Sequence, residues 1–558
     1  MDVIEDISKS LEIVDTLLEL LPPFQARLLS SCVPLSISSL NLIKSKLTAL
    51  KDLEDFTELN LIFLKGLIEK LLFYLNELLK MITNWAKSFE EEEDEDLLIF
   101  TSKFDSFSDI LDTIPYVSKN DLISLEKTDP RWTKLSPYSS IFSYSKPKKV
   151  LKHYKNFMVQ VAVANAFMAV GLEEKSLIEK KIMVGIGAMY YSVFKSQAVR
   201  RTKIFIANPR IDVAQNLWNL VDSWMVSHLM NLMMPSVKIN KVMYIPRTVS
   251  HVLSQENYSL NVNQCFKENS EEDLVMTRFI CSFDPVSKEK VEGIFCCAGR
   301  RDKTDRKSHH YQLVFHIHGG GFVSMSSASH QVYTRKWAKQ LGIPVFSIDY
   351  RLAPKNPYPD ALDDVWQAYN WVINNAKDQL GINPAQIILA GDSAGGNLAL
   401  ALTYKCILSN FRIPDGLLLG YPALNLSKKH YTPSMLFSLE DFLVPHTFLK
   451  LVRSYYTADP SLDLENDIFI SPIAASPDIL QHLPPIRILV GQNDPFHDDC
   501  YRFTEKLIDA GRDVKLKEYE GTPHGAFSFC FVGGVKESYD VLHQSIEWLR
   551  ELFLIRKE

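Results

Sequence analysis

The sequence predicts an α/β fold, a mostly parallel sheet flanked by helices and preceded by a mainly α-helical N-terminal domain. Two observations carry this. From Gln312 onward, short apolar runs alternate with amphipathic stretches, a rhythm that gives parallel strands covered by helices on both faces. Before about Ile239, apolar residues recur at helical spacing and glycine is scarce. A chain of 558 residues exceeds what one core usually organises, so more than one domain is expected. Texture divides it into a helical domain over 1–240, a β-rich connection over 241–310 and an α/β domain over 311–558, with a cap insert at about 431–477.

Leu11, Val14, Leu17, Leu18 and Leu21 repeat at steps of three and four, one helix face that ends at Pro22-Pro23. Leu59–Trp85, Val150–Gly171, Glu173–Phe194 and Val213–Met234 are further helical candidates. Glu90–Asp96 is an unbroken acidic run, expected as a solvated loop. Leu274–Phe283 and Val291–Phe295 are strand candidates separated by the turn residues Asp284-Pro285, and polar, basic Arg300–Lys307 suits an exposed hairpin tip. Strands then follow at Gln312–Ile317, Val345–Tyr350, Ile387–Ala390, Leu417–Tyr421, Ile486–Gly491 and Val514–Tyr519. Helices are expected between them at His330–Leu341, Ala361–Leu380 and Ala394–Leu408.

The formal net charge of −6 argues against nucleic acid as a partner, because phosphate binding needs a basic face. Eight cysteines without a CxxC pair or zinc-ligand spacing suit free thiols in a reducing compartment. The acidic start Met1-Asp2-Val3-Ile4-Glu5-Asp6 is unlike a signal peptide, so a cytoplasmic location is expected. Phe157–Leu172 and Ile182–Phe194 are uncharged, but each is shorter than the roughly 18–20 residues that span hydrocarbon. Both are expected as buried core helices, with no transmembrane segment.

The chemistry concentrates in Gly391-Asp392-Ser393-Ala394-Gly395, directly after one strand candidate and before a helix. A serine squeezed between strand and helix sits on a strained turn that only small neighbours permit. The turn lifts its hydroxyl clear of the sheet, so Ser393 is the candidate nucleophile. His318-Gly319-Gly320-Gly321-Phe322 follows the strand Gln312–Ile317. Its bare backbone N–H groups at Gly320 and Gly321, with that of Ala394, form a candidate oxyanion hole. A phosphate loop is the rival, but no Lys-Ser/Thr follows the glycines, and no cofactor is expected.

The base must come later. His524 follows Val514–Tyr519 in a loop, and Asp494 ends Ile486–Gly491. The order Ser393, Asp494, His524 is that of α/β-hydrolases. Asp498 and Asp499 compete for the acid's role but fall on the next helix, better placed to cap or orient that loop. Asp392 beside the serine cannot orient a distal histidine and suits hydrogen bonds within the turn. His309, His310, His316 and His318 have no carboxylate or cysteine at suitable spacing, so no metal site is expected.

His318-Gly319-Gly320-Gly321, Asp349-Tyr350-Arg351-Leu352-Ala353-Pro354, Gly391 through Asn397, Asp494-Pro495 and His524-Gly525 together resemble the hormone-sensitive lipase family of α/β-hydrolases. The resemblance covers about residue 310 to the C-terminus. It implies an α/β-hydrolase fold and hydrolysis of acylglycerols or other apolar carboxylic esters through a Ser-Asp-His triad. The helical N-terminal half is similar in size and placement to that of the animal members, which implies contact with a lipid-droplet or membrane surface. Departures are Lys355, where the family often has Glu, and Ala526 between His524-Gly525 and Phe527. Ser393 and Asp494 are 101 residues apart, which leaves no room for the long phosphorylated insert of vertebrate members. The alternatives are a small-ester carboxylesterase whose N-terminal domain serves assembly only, a non-catalytic small-molecule receptor and a peptidase of the same fold. Homo-oligomerisation is left open.

Overall fold

The computed structural model describes residues 2–20, 32–51, 68, 71–80, 93–111, 159–163, 166, 177–212, 215, 234–247, 274–283, 285, 311–427, 432–439, 441–530 and 536–555. Val291–Phe295 and Arg300–Lys307 lie outside these residues, as do most of Leu59–Trp85, Val150–Gly171 and Val213–Met234.

The first part is helical. Helices α1 (Asp2–Leu20), α2 (Cys32–Lys51) and α3 (Glu93–Leu111) turn their apolar stripes toward one another. Val14 and Leu17 of α1 meet Leu40, Ile43 and Leu47 of α2 and Phe104 and Phe107 of α3, all fully buried. This is the three-and-four spacing of a helix that buries one face. The acidic run departs from expectation, because Glu93–Asp96 opens α3 instead of lying in a loop. The first helical turn presents unpaired N–H groups and the positive end of the dipole, which favours carboxylates there.

Two further helices, α4 (Leu177–Val193) and α5 (Lys195–Ala207), correct another expectation. The uncharged stretch Ile182–Phe194 is not a buried core helix. Ile186, Met189, Tyr190, Val193 and Phe194 are all exposed, whereas Tyr191 packs toward Ala198, Val163 and Ala166. Absence of charge does not distinguish a helix covered on both sides from one covered on a single side.

Among the described residues the sheet has eight strands: β1 (Ile239–Pro246), β2 (Leu274–Cys281), β3 (Gln312–Ile317), β4 (Val345–Asp349), β5 (Gln386–Asp392), β6 (Gly416–Gly420), β7 (Ile486–Gly491) and β8 (Val514–Tyr519). Their spatial order is β1-β2-β4-β3-β5-β6-β7-β8. Strands β3 to β8 run parallel, while β2 pairs antiparallel with β4 and β1 antiparallel with β2. The central strands are buried along nearly their whole length because helices cover both faces. Edge strand β1 buries only Ile245, so its hydrophobic signal is faint and sequence patterning did not identify it.

Helices α6 (Gln331–Leu341), α7 (Asp360–Leu380), α8 (Ala394–Leu408), α9 (His446–Tyr456), α10 (His497–Asp509) and α11 (Lys536–Leu554) are the longer helices described around the sheet. The main core runs from Phe315 and Phe346 through Leu389 and Leu419 to Leu549. Met435 and Leu439, in a short 3₁₀ segment before α9, belong instead to the core of the N-terminal helices. Polar contacts join the same elements. Asp109 of α3 takes Lys450 Nζ at 2.8 Å and lies 3.3 Å from His446 Nε2, and Thr447 Oγ1 donates to Ile206 O at 2.8 Å. The N-terminal helices thus grip α9, whose Tyr456 stacks on Phe322 in the loop that leaves the carboxyl end of β3, the side on which open α/β sheets form their clefts.

Candidate active site

Ser393 sits between β5 and α8 with φ 53° and ψ −120°, a left-handed conformation that side chains rarely adopt. The neighbouring backbone holds it there. Ser393 N donates to Gly420 O at 2.9 Å, and Ser393 O accepts from Gly396, Asn397 and Ala423 N–H groups. Gly395 is required by space, since a Cβ there would lie 2.1 Å from Ile317 O and 2.5 Å from His318 O. That clearance lets α8 start hard against β3.

His524 lies in the loop after β8, and its Nε2 is 2.9 Å from Ser393 Oγ. Its Nδ1 lies 3.0 and 2.9 Å from the two carboxylate oxygens of Asp494, which follows β7. The rings of Tyr421 and Phe496 meet the imidazole edge-on at 4.8 and 5.0 Å. Asp494 is fully buried and His524 is nearly so. Burial disfavours the imidazolium, but the charge and hydrogen bond of Asp494 outweigh it and raise the histidine pKa above its ordinary value.

The glycine loop leaves β3 beside this chain of contacts. Gly320 has φ 109°, and a Cβ on it would meet Ser324 O at 2.2 Å, so the turn excludes any side chain there. Gly320 O accepts from Val323 N, Ser324 N and Ser324 Oγ, closing the loop into a tight turn. Among the described residues, no acceptor pairs with the backbone N–H of Gly320, Gly321 or Ala394. Gly319 N–H, by contrast, is engaged by Asp392 Oδ1 at 3.1 Å.

Asp392 forms a second buried cluster with other partners. Its carboxylate accepts from Tyr333 at 2.8 Å and Tyr421 at 3.4 Å, and it lies 3.5 Å from His330 Nε2. Burial opposes its ionisation, but nearby His330 outweighs that and holds the carboxyl well below the usual range. His316 and His318 are buried and neutral. Desolvation and the neighbouring His330 push His318 down to about 3. No metal-binding group of His, Cys, Asp or Glu occurs among the described residues. Asp498 lies in α10 and bonds Ser434 N and His497, while Asp499 is buried with its carboxyl pushed up to about 7 by desolvation.

Sequence reasoning missed Tyr333, Tyr421 and His330 around Asp392, and Gln215 behind the glycine loop. These contacts span 59, 29, 62 and more than a hundred positions, and no local pattern signals them.

A mostly parallel sheet in this order, with a strand–Gly-x-Ser-x-Gly–helix turn at its centre, defines an α/β-hydrolase. Residues 314–528 match a family model described as alpha/beta hydrolase fold. Hormone-sensitive lipase of Mus musculus is 32% identical over 46% of this chain and 35% of its own length. Carboxylesterase NlhH of Mycobacterium tuberculosis is 33% identical over 39% of this chain and 68% of its own length. A hyperthermophilic esterase from the archaeon Pyrobaculum calidifontis superimposes with a TM-score of 0.48 at 23% identity, covering 62% of this chain and 92% of that one. The chain belongs to the hormone-sensitive lipase family of α/β-hydrolases. It matches only about a third of the length of the mouse and cattle lipases, at 35% and 34%.

Proposed function

We propose that this chain is a carboxylic ester hydrolase that acts on acylglycerols or related apolar esters by two-step acyl transfer. The reading rests on the contact chain Asp494–His524–Ser393, whose links are all 2.9–3.0 Å. His524 Nε2 accepts the Ser393 proton as Oγ attacks the ester carbonyl. The tetrahedral oxyanion accepts hydrogen bonds from the N–H groups of Gly320, Gly321 and Ala394. Asp494 keeps the imidazole in the tautomer with Nδ1–H and stabilises the imidazolium. His524 then protonates the leaving alcohol and activates the water that frees the acid. Ser393→Ala is expected to abolish cleavage of a short-chain nitrophenyl ester while leaving the fold intact; undiminished turnover refutes the assignment. A fluorophosphonate probe separates this reading from a receptor, because only an activated serine reacts.

The substrate class is supported by the relatives' names and by the surface of α4. Ile186, Met189, Tyr190, Val193 and Phe194 form an exposed apolar ridge at steps of three and four. Helix α5 follows with Lys195, Arg200, Arg201 and Lys203 and no acidic residue. Apolar burial plus cationic flanks suit a lipid surface with anionic head groups, such as a lipid droplet facing the cytoplasm. The chain should co-float with phosphatidylserine vesicles, and a Met189→Glu, Val193→Glu variant should not. Equal flotation of both removes this docking face. No described helix is long and apolar enough to cross a membrane. Activity on emulsified diacylglycerol against soluble butyrate esters decides between lipase and small-ester esterase.

A further inference from the structure

The turn that offers the Gly320 and Gly321 N–H groups is held from behind by a residue of the N-terminal helical region. Gln215 Nε2 donates to Val323 O at 2.8 Å and to Ala353 O at 3.3 Å. Val323 ends the glycine turn, and its N–H is bonded to Gly320 O. Ala353 belongs to the loop after β4, and its N–H donates to Phe322 O at 2.9 Å. One carboxamide therefore bridges the two loops at their buried carbonyls. Around it, Val323, Ala353 and Val452 form a separate buried cluster against Ile211 and Tyr455. Phe322 has φ 64° and stacks on Tyr456 of α9 with ring centroids 3.8 Å apart.

A donor aimed at an oxyanion works only while its N–H vector is fixed before the reaction begins. The turn carries positive φ at Gly320, Gly321 and Phe322 in succession. Such a backbone persists only where its surroundings over-determine it. The Val323 and Ala353 carbonyls are inaccessible to bulk water, so the Gln215 amide is their means of being satisfied at that side.

We propose that Gln215 is a positioning residue for the oxyanion hole, so that the N-terminal region contributes to turnover directly. It acts through the pitch of the Gly320–Val323 turn. The inference rests on the oxyanion reading of Gly320, Gly321 and Ala394.

The full chain carrying Gln215→Glu or Gln215→Met tests it. Both variants keep the side chain's length and lack the amide donors, and the second adds no charge. Turnover of a soluble butyrate ester should fall roughly tenfold to a hundredfold, short of the loss of a whole oxyanion donor. KM should stay within about twofold, because the ground-state ester carbonyl needs the turn less than the oxyanion does. An alkyl trifluoromethyl ketone adds Ser393 Oγ to its carbonyl carbon, passes the serine proton to His524 and leaves an oxyanion. Its inhibition constant should weaken in step with kcat/KM. Turnover within about twofold of the unaltered chain overturns the proposal, as does a change confined to KM. Failure of both variants to fold, read from circular dichroism and thermal melting, also overturns it by making Gln215 a structural residue. Ser393→Ala is run in parallel: if it is inactive while the Gln215 variants are fully active, only this inference falls. If Ser393→Ala is itself active, the ester hydrolase reading falls first.

Discussion

Tyr456 of α9 lies face to face with Phe322 of the glycine turn, the two ring planes 6° from parallel. The Tyr456 hydroxyl is buried without a hydrogen-bond partner among the described residues. The ring, not the hydroxyl, is therefore what the site uses. Tyr456→Ala should destabilise the protein by about 3–5 kcal/mol, the range for emptying a large aromatic from a core. Tyr456→Phe should be neutral or slightly stabilising, because it removes an unsatisfied polar group. Thermal or urea unfolding of the two variants checks both directions, and equal losses would contradict them.

On the proposed mechanism, Asp494→Asn should lower kcat by roughly 10⁴-fold with the fold retained, because an amide lets the imidazole take the wrong tautomer. Steady-state kinetics with a nitrophenyl ester measures this. A loss below tenfold would remove Asp494 from the chain of contacts as its acid.

On the same proposed mechanism His524 must be neutral to accept the serine proton; burial lowers its pKa, but Asp494 outweighs that and raises it above 6.5. Activity is therefore present above the raised pKa and lost as pH falls through it. The acid limb of kcat/KM should have its midpoint above pH 6.5. Any residual activity of Asp494→Asn should show that midpoint moved to lower pH.

His497 has a carboxylate at each ring nitrogen, Asp498 at 2.8 Å and Glu518 at 2.9 Å. Burial disfavours its cation, but these two bonds prevail and push its pKa up to about 9. A raised folded-state pKa stabilises fully below the unfolded value near 6.5, and the gain is lost as pH rises through about 9. The protein should lose on the order of 3 kcal/mol over that window. Urea unfolding at several pH values tests it, with His497→Gln expected to flatten the dependence.

Gly395→Ala should be among the most damaging single-methyl additions. Its Cβ would lie 2.1 Å from Ile317 O and 2.5 Å from His318 O, both backbone atoms that cannot move aside cheaply. Loss of soluble folded protein, or loss of more than about 3 kcal/mol of stability, is expected. A variant as stable as the parent would mean that α8 does not start hard against β3.

The sequence alone determined the elements whose signal is local. The strands Gln312–Ile317, Ile486–Gly491 and Val514–Tyr519 and the helix Ala394–Leu408 carry mainly apolar or alternating runs, and they form with the bounds expected. Ser393, Asp494, His524 and the glycines after His318 stood out in the sequence as candidates because the proposed chemistry demands particular residue types at strand ends. The tertiary structure decided what depends on burial and on distant neighbours. Edge strand β1 buries only Ile245 and left no apolar pattern. Composition could not show that only one side of α4 is covered, or that Glu93–Asp96 opens a helix. Asp392 finds Tyr333 and His330, and Gln215 finds Val323 and Ala353, across intervals that a linear pattern cannot encode. Hydrogen bonds between remote residues exist only once the sheet has set its strand order, so the support behind the glycine turn had to be read from the fold.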